Sequence, residues 1–204
     1  MKTKLSVILA LFTFCFASAQ DNQAEAEMNS AKGITFQQGD MILEGAISIS
    51  TGGDTDSYAV SPSFGYFLND KFAVGAKVSF GSNEVEATDI KTNVFGVGAF
   101  ARYYFLELDQ KRLKTFAEVG LGYGRNRVEG PLTDDTTNSV TADINVGLNY
   151  FVTKNIAVTF KLADILSYNS VSPEDGPSSD TFNLNINLFK NIFDQPTFGL
   201  LYRF

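Results

Sequence analysis

Apolar and polar residues alternate along most of this chain. From about residue 41 to the end, apolar residues occupy every second position, a period typical of β-strands with one apolar face. The segments are about 10 to 14 residues long, close to a tilted membrane strand of about 9 to 11 plus some overhang. Strands of soluble proteins are shorter, usually about 5 or 6 residues. The pattern predicts strands at 41–51, 57–67, 72–82, 92–105, 115–127, 139–152 and 156–168, and an eighth in two pieces at 180–204, interrupted by Pro196.

The connections between these segments alternate in length and character. Short turns are predicted at 68–71 and 153–155, and the other connections are longer and acidic: 51–57, 83–91, 129–138 and 169–180. Short turns on one side and long loops on the other are typical of an outer-membrane barrel. The connection 106–114 departs from this alternation, since it has the position of a turn and the length of a loop. The strand count around 106–114 and 190–197 therefore stays open.

The polar face of the predicted strands is small, often glycine, and carries about one charge per strand. An apolar face fits either lipid or the core of a sandwich, but the exposed face of a sandwich would be denser in Lys, Glu and Thr. We therefore predict that the charged residues point into a narrow lumen and form a hydrogen-bonded ion network, either as a closed plug or as a path for ions. Arg102 and Glu118 are predicted to be the best pair, and Arg203 to pair with Glu44 or Glu118. The predicted lumen set is Glu44, Lys77, Arg102, Glu118, Asp143, Lys161 and Arg203.

The N-terminus has the parts of a secretory signal peptide. Two lysines precede the apolar run 5–16, which ends at Ala17-Ser18-Ala19, so cleavage is predicted between Ala19 and Gln20. The run is too short to cross a bilayer as a helix, which takes about 20 residues. Its Cys15 is the one cysteine of the chain. The domains expected are a signal peptide at 1–19, a polar and mobile periplasmic linker at 20–40, and a barrel at 41–204.

Composition narrows the chemistry. The chain has no histidine, which is the commonest general base and metal ligand, so we predict no enzyme activity, no cofactor and no metal site. A net charge of -7 argues against nucleic acid as a partner. The acidic connections could bind divalent cations, but solubility alone produces such loops.

Four stretches carry a family resemblance: "SPSFGYFLNDKFAVGAKVSF", "GVGAFARYYF", "FAEVGLGYG" and the terminal "FGLLYRF". Residues 40–204 resemble the small outer-membrane barrels of Gram-negative bacteria, the OmpA/OmpX-like porin-family barrels. The resemblance implies an all-β fold, an eight-stranded antiparallel up-and-down transmembrane β-barrel. It also implies a monomer in the cell outer membrane, with both termini in the periplasm, in contact with lipid and lipopolysaccharide.

Members of that family end in an aromatic residue that the barrel-assembly machinery reads. Matched onto this chain, the assembly signal consists of Phe198, Leu200, Tyr202 and Phe204. The function expected is a non-enzymatic barrel with a largely plugged polar lumen that contributes to envelope structure or surface interaction. The alternative is a small low-conductance porin for ions or small solutes. A soluble lipocalin-like carrier would need the reverse arrangement, with apolar residues inside and charges outside.

Overall fold

The computed structural model describes residues 22–52, 55–85, 88–131, 133–174, 176–184 and 197–204. The described strands follow the predicted segments closely at their centres. The elements are α1 Asn22–Ser30, β1 Met41–Gly52, β2 Thr55–Phe67, β3 Phe72–Val85, β4 Ile90–Leu108, β5 Leu113–Gly130, β6 Thr133–Phe151, β7 Ile156–Pro173, β8 Ser179–Leu184 and β9 Thr197–Arg203.

The strands close into an antiparallel ring. Each strand from β1 to β7 pairs with the next, and β9 pairs with β1 on one side and with the first half of β7 on the other. The second half of β7 pairs instead with β8, so β8 and β9 lie beside the same strand and together occupy the eighth position of the ring. Residues 185–196, where the predicted eighth strand continues, lie outside the described residues. The predicted eight-stranded up-and-down barrel is thus confirmed.

The two ends of the barrel differ. We call the end that holds Met41, Phe204 and the turns around 69–71, 109–112 and 153–155 the base, and the opposite end the rim. The side chains on the outer face of the strands are mostly large and apolar and stay exposed, as with Leu121 at 62% and Leu200 at 54%, while a smaller set of apolar rings is buried inside. Arg102 and Glu118 lie on the inward face at 1% and 2% exposure. Because the apolar face points out, the arrangement fits lipid as the surrounding solvent and rules out a lipocalin-like carrier.

The strands run further toward the rim than the sequence pattern indicates. β4 and β6 each have 19 residues, which at about 3.3 Å per residue is more than a tilted strand needs to cross the bilayer. Much of the predicted loop 129–138 is therefore a hairpin that extends β5 and β6. On its exposed surface, Arg127 lies 3.1 Å from Glu129 on the same strand and 3.2 Å from Asp134 on β6.

The connection 106–114, expected to be as long as a loop, is also mostly strand. β4 continues to Leu108 and β5 begins at Leu113, which leaves a four-residue turn. Asp109, Gln110 and Lys111 take left-handed backbone conformations there, with φ of 49°, 54° and 68°. The pairing shifts by one residue at Phe105, between Tyr104 and Leu106. This bulge disturbs the alternation of side chains, which is why the sequence pattern ends too early.

The expectation of a mobile linker at 20–40 is wrong for its second half. After helix α1, residues 31–40 pack into the base of the barrel, where Ala31 and Phe36 are 0% and 1% exposed. The segment carries too few apolar residues to show a period, so its packing left no periodic signal in the sequence. None of the described helices is long and apolar enough to cross a membrane.

Candidate functional site

Arg102 lies at the centre of an ion cluster inside the barrel. Its Nε donates to Glu118 Oε2 at 2.8 Å, and its Nη2 lies 2.6 Å from the same oxygen. Its two terminal nitrogens donate to Glu44, Nη1 to Oε2 at 2.9 Å and Nη2 to Oε1 at 3.3 Å. The three side chains are 1%, 2% and 7% exposed for Arg102, Glu118 and Glu44. The guanidinium is thus held between two carboxylates, a geometry that lysine could not reproduce.

Strand order explains how the cluster spans the lumen. Arg102 on β4 stands directly opposite Glu118 on β5 in the pairing register, so this contact runs along the wall. Glu44 lies on β1, three strands away in the ring, so the second contact crosses the interior. The alternation of side chains along each strand predicts from the sequence that all three residues face inward. The contact across the lumen follows from closure of the ring.

Two phenylalanine rings flank the guanidinium, and glycines make room for them. The Arg102 Cζ lies 4.0 Å from the ring centroid of Phe116 and 5.3 Å from that of Phe100. Phe100 pairs with Gly75 on β3, and Phe116 pairs with Gly147 on β6. A Cβ at either glycine would collide with the neighbouring ring. The glycines therefore fix where the rings lie, and the rings add cation–π contact to the ion pairs.

Neutral and charged neighbours complete the cluster. Thr159 donates to Glu44 Oε2 at 3.3 Å. Tyr104 Oη accepts from Arg102 Nη1 and from Asn149 Nδ2, both at 3.4 Å. Arg102 against Glu44 and Glu118 leaves one negative charge, and Lys161, 3.9 Å from Glu118, balances it. A buried group of charges is tolerated when it is paired and hydrogen-bonded in this way.

The rim side of the lumen is more open. Lys77 lies 3.6 Å from Asp143, with side chains 29% and 22% exposed. Above them the inward positions of β4 and β5 are glycines, and polar side chains from neighbouring strands lie over these glycines, as Ser79 does over Gly96 and Thr141 over Gly122. Since Lys77 and Asp143 are more exposed than the Arg102 cluster, the rim side is the more open half of the interior.

Six of the seven predicted lumen residues belong to these two groups, and the seventh has a different partner. Arg203 was expected to pair with Glu44 or Glu118, but its Nη2 lies 2.7 Å from Asp40 Oδ2. That expectation is wrong. Asp40 precedes β1, and the alternation along the strands gives no information on a residue of the predicted linker.

Sequence reasoning also missed Lys114, which is fully buried at the base. Its Nζ donates to Glu107 at 2.6 Å and to the carbonyl oxygen of Ile34 at 2.8 Å. Lys114 was assigned to the long connection, and no sequence feature marks it as buried. Its inward position becomes readable once β5 is known to begin at Leu113.

The remaining predicted site residues have the following positions. Phe198, Leu200, Tyr202 and Phe204 lie on the outer, lipid-facing side at the base, at 53%, 54%, 44% and 60% exposure. Ala17, Ala19 and Gln20 of the predicted cleavage site lie outside the described residues. Within the described ranges, no group of three or more acidic, Cys or His side chains is arranged to hold a metal.

A family model decides which proteins this barrel belongs with. The model described as "Outer membrane protein beta-barrel domain" matches residues 7–188, most of the chain. The chain belongs to the outer-membrane β-barrel domain family. Membership places the protein in the outer membrane of a Gram-negative bacterium, as the OmpA/OmpX-like resemblance implied. The search of curated proteins gives no match.

Solved structures of similar fold come from several bacteria. The N-terminal β-barrel domain of Pseudomonas aeruginosa OprF is 16% identical, with 82% of this chain and 98% of that one covered and a TM-score of 0.45. Neisserial surface protein A is 19% identical, with 81% and 94% covered and a TM-score of 0.46. Ail, the attachment invasion locus protein of Yersinia pestis, is 13% identical, with 82% and 100% covered and a TM-score of 0.45.

Proposed function

We propose that this outer-membrane barrel is non-enzymatic, that its lumen is closed to ions, and that it contributes to envelope structure or surface interaction. The observation that carries the closure is the Arg102 cluster, whose three charged side chains are almost fully buried and bonded across the lumen. Water-filled porins have many more strands, whereas eight strands enclose a space that side chains can fill.

The absence of histidine supports the non-enzymatic part of the proposal. Barrel hydrolases and acyltransferases need a base to activate serine or water, and histidine usually serves as that base. The lumen acids Glu44, Asp143 and Glu118 are buried or partly buried, and each pairs with Arg102, Lys77 or Lys161. The chain thus lacks the usual catalytic base, and its paired lumen acids do not substitute for one.

Planar bilayer recording tests the closure. We expect protein refolded in detergent, with the heat-dependent gel shift of an intact barrel, to give no steady conductance. Steady single-channel steps from the unmodified chain would contradict the proposal.

A small low-conductance porin remains the second candidate, because the rim half of the lumen is lined by glycines and partly exposed charges. Glu118→Gln and Lys161→Gln change lumen charge on either side of one ion contact. If the barrel conducts, these variants should fold and alter conductance or ion preference. If no variant conducts, the porin is rejected.

For orientation and partners, we propose that the base, with both termini, faces the periplasm and the long hairpins at the rim face outward. The outward apolar face is in contact with outer-membrane lipid and lipopolysaccharide, and the barrel is a monomer. The short turns at the base and the long strands beyond the bilayer at the rim support this orientation.

A further inference from the structure

The base of the barrel is occupied by the chain's own N-terminal segment. We call residues 31–40 the base segment. Its backbone bonds to two places on the mouth: Gly33 N donates to Gln110 O at 2.7 Å in the β4–β5 turn, and Gly39 N donates to Phe67 O at 2.9 Å at the end of β2. Phe67 N in turn donates to Asp40 O at 2.9 Å. The segment therefore bridges two separate parts of the mouth, the end of β2 and the β4–β5 turn.

Its side chains fill the opening. The Phe36 ring is 1% exposed and stacks on Phe67 with centroids 4.0 Å apart. It also meets Tyr104 at 4.8 Å and Phe151 at 5.8 Å, rings from β4 and β6. One aromatic side chain of the base segment thus contacts three strands around the mouth, and together these rings occupy the space between the strands.

Charged groups fix the segment at both ends. Lys114 of β5, fully buried, donates to the carbonyl oxygen of Ile34 at 2.8 Å. Arg203 of β9 pairs with Asp40 at 2.7 Å. A buried lysine that donates to a carbonyl of the segment would lose that partner if the segment left. These contacts make the segment a fitted part of the base.

The ring of strands closes through pairs that lie outside the segment. The strand pairs of the ring run from β1 through β7 and β9, and none of them includes residues 31–40. Gly33 and Gly39, at φ of 74° and 95°, turn the chain into and out of the mouth. Residues 26–30 of α1, just before the segment, are exposed. Withdrawal of the segment would therefore break no strand pair of the ring, and of α1 it would disturb the bond from Lys154 N to Ser30 Oγ at 3.1 Å.

We propose that residues 31–40 form a gate at the base of the lumen, a barrier separate from the Arg102 cluster. The gate deepens the proposed function, since it gives the closed lumen a second barrier on the periplasmic side. When it opens, the aromatic rings and Lys114 at the base become accessible to water and small solutes, while the Arg102 cluster still blocks passage.

A thiol reporter tests the gate directly. The chain has no cysteine after Cys15, so Ala157→Cys, at a buried position near the start of β7, gives one reactive site. Three chains carry this change: one begins at residue 20, one at residue 31 and one at residue 41. We expect a charged thiol reagent to modify the first two slowly and the third at least about tenfold faster, because only the third lacks the gate. The chain from residue 31 is the matched control, since it lacks α1 and keeps the gate.

Each result decides a separate point. If the chain from residue 41 keeps the heat-dependent gel shift and its thiol stays as slow as in the full chain, the gate does not exist. If the thiol reacts equally fast in the chain from residue 31, then α1 and not residues 31–40 protects it, which would also overturn the proposal. Should the shortest chain fail to fold, Phe36→Ala in the chain from residue 20 decides, and an unchanged modification rate in the folded barrel would refute the gate.

The same chains separate the gate from the proposed function. We expect fast thiol modification without conductance from the chain that begins at residue 41. Conductance from that chain, with conductance absent in the full chain, would leave the gate standing and show that the Arg102 cluster is not a barrier to ions.

Discussion

Arg102 is the one positive charge bonded to two buried carboxylates, so its side chain should contribute strongly to the stability of the barrel. The desolvation cost of Glu44 and Glu118 is offset only while the guanidinium is present, because both are almost fully buried. Phe100 and Phe116 contact the same group from either side. Loss of the arginine therefore removes both the charge and a packed, planar side chain.

Arg102→Gln should lower the free energy of unfolding by about 3 to 5 kcal/mol, as expected when one partner of a buried ion group is removed. Equilibrium urea unfolding in lipid vesicles, followed by the gel shift, measures this change. Arg203→Gln is the matched control, because Arg203 has one carboxylate partner, and both side chains are about 17% exposed. A loss in Arg102→Gln no larger than in the control would mean that the cluster is not a major source of stability.

Individual lumen residues could be predicted where strict alternation holds. Glu44, Lys77 and Arg102 lie in stretches whose outward positions are regularly apolar, so their inward direction follows from the sequence. The sequence did not predict which acid pairs with which base, since Arg203 pairs with Asp40, a residue that precedes the strands. Pairing depends on the three-dimensional order of strands and on segments without a period.

Among the structural elements, the strand pairs around the cluster depend on glycines with no space for a side chain. Gly75 on β3 faces the Phe100 ring, and a Cβ there would also collide with the carbonyl oxygen of Phe64. A backbone carbonyl cannot move aside as a flexible side chain can. The glycine is therefore required by close approach, since its backbone conformation is an ordinary extended one.

Gly75→Ala should destabilise the barrel by about 1 to 3 kcal/mol through overpacking. Gly45→Ala is the control, since nothing lies within 4 Å of a Cβ built at that position, and its effect should stay within about 0.5 kcal/mol. The same urea unfolding experiment measures both variants. Equal stability of the two variants would show that the strands near Phe100 relax freely.

Strand centres were predictable from the sequence and strand ends were not. The connection 129–138 carries the turn residues of a loop, yet β5 and β6 stay paired through most of it, as far as Gly130 with Thr133. The sequence pattern did not predict the short turn after Leu108, because a bulge at Phe105 interrupts the alternation of side chains. The composition of these regions shows that they are polar, but it does not show which residues pair across neighbouring strands.

For the whole molecule, the interior of the barrel is buried at the base and more open toward the rim. The base half holds the aromatic rings, Lys114 and the Arg102 cluster, while the rim half has glycine walls with polar side chains lying over them. The base segment that completes the buried half could not be predicted from its sequence, because its few apolar residues, Ile34 and Phe36 among them, show no repeat. The buried base supports the proposal that the lumen is closed.

A substitution at the C-terminal residue, Phe204, can separate an effect on assembly in the cell from an effect on the stability of the folded barrel. Phe204 is 60% exposed on the lipid face, and its backbone N donates to Met41 O at 2.9 Å. Phe204→Ala keeps this backbone bond and removes only an outward ring. If Phe204 belongs to an assembly signal, the variant should reach the outer membrane several-fold less well in cells, measured in membrane fractions.

The purified Phe204→Ala variant, refolded in vesicles, should lose no more than about 1 to 2 kcal/mol, because the ring contacts lipid and Tyr202 and is not buried in the barrel. Leu121→Ala is the matched control, since Leu121 is equally exposed at 62% on the outer face of β5, far from the terminus. Equal membrane levels of the two variants would mean that Phe204 has no special role in assembly. A low level of Phe204→Ala alone, with similar unfolding of both in vesicles, would place the effect on the path into the membrane.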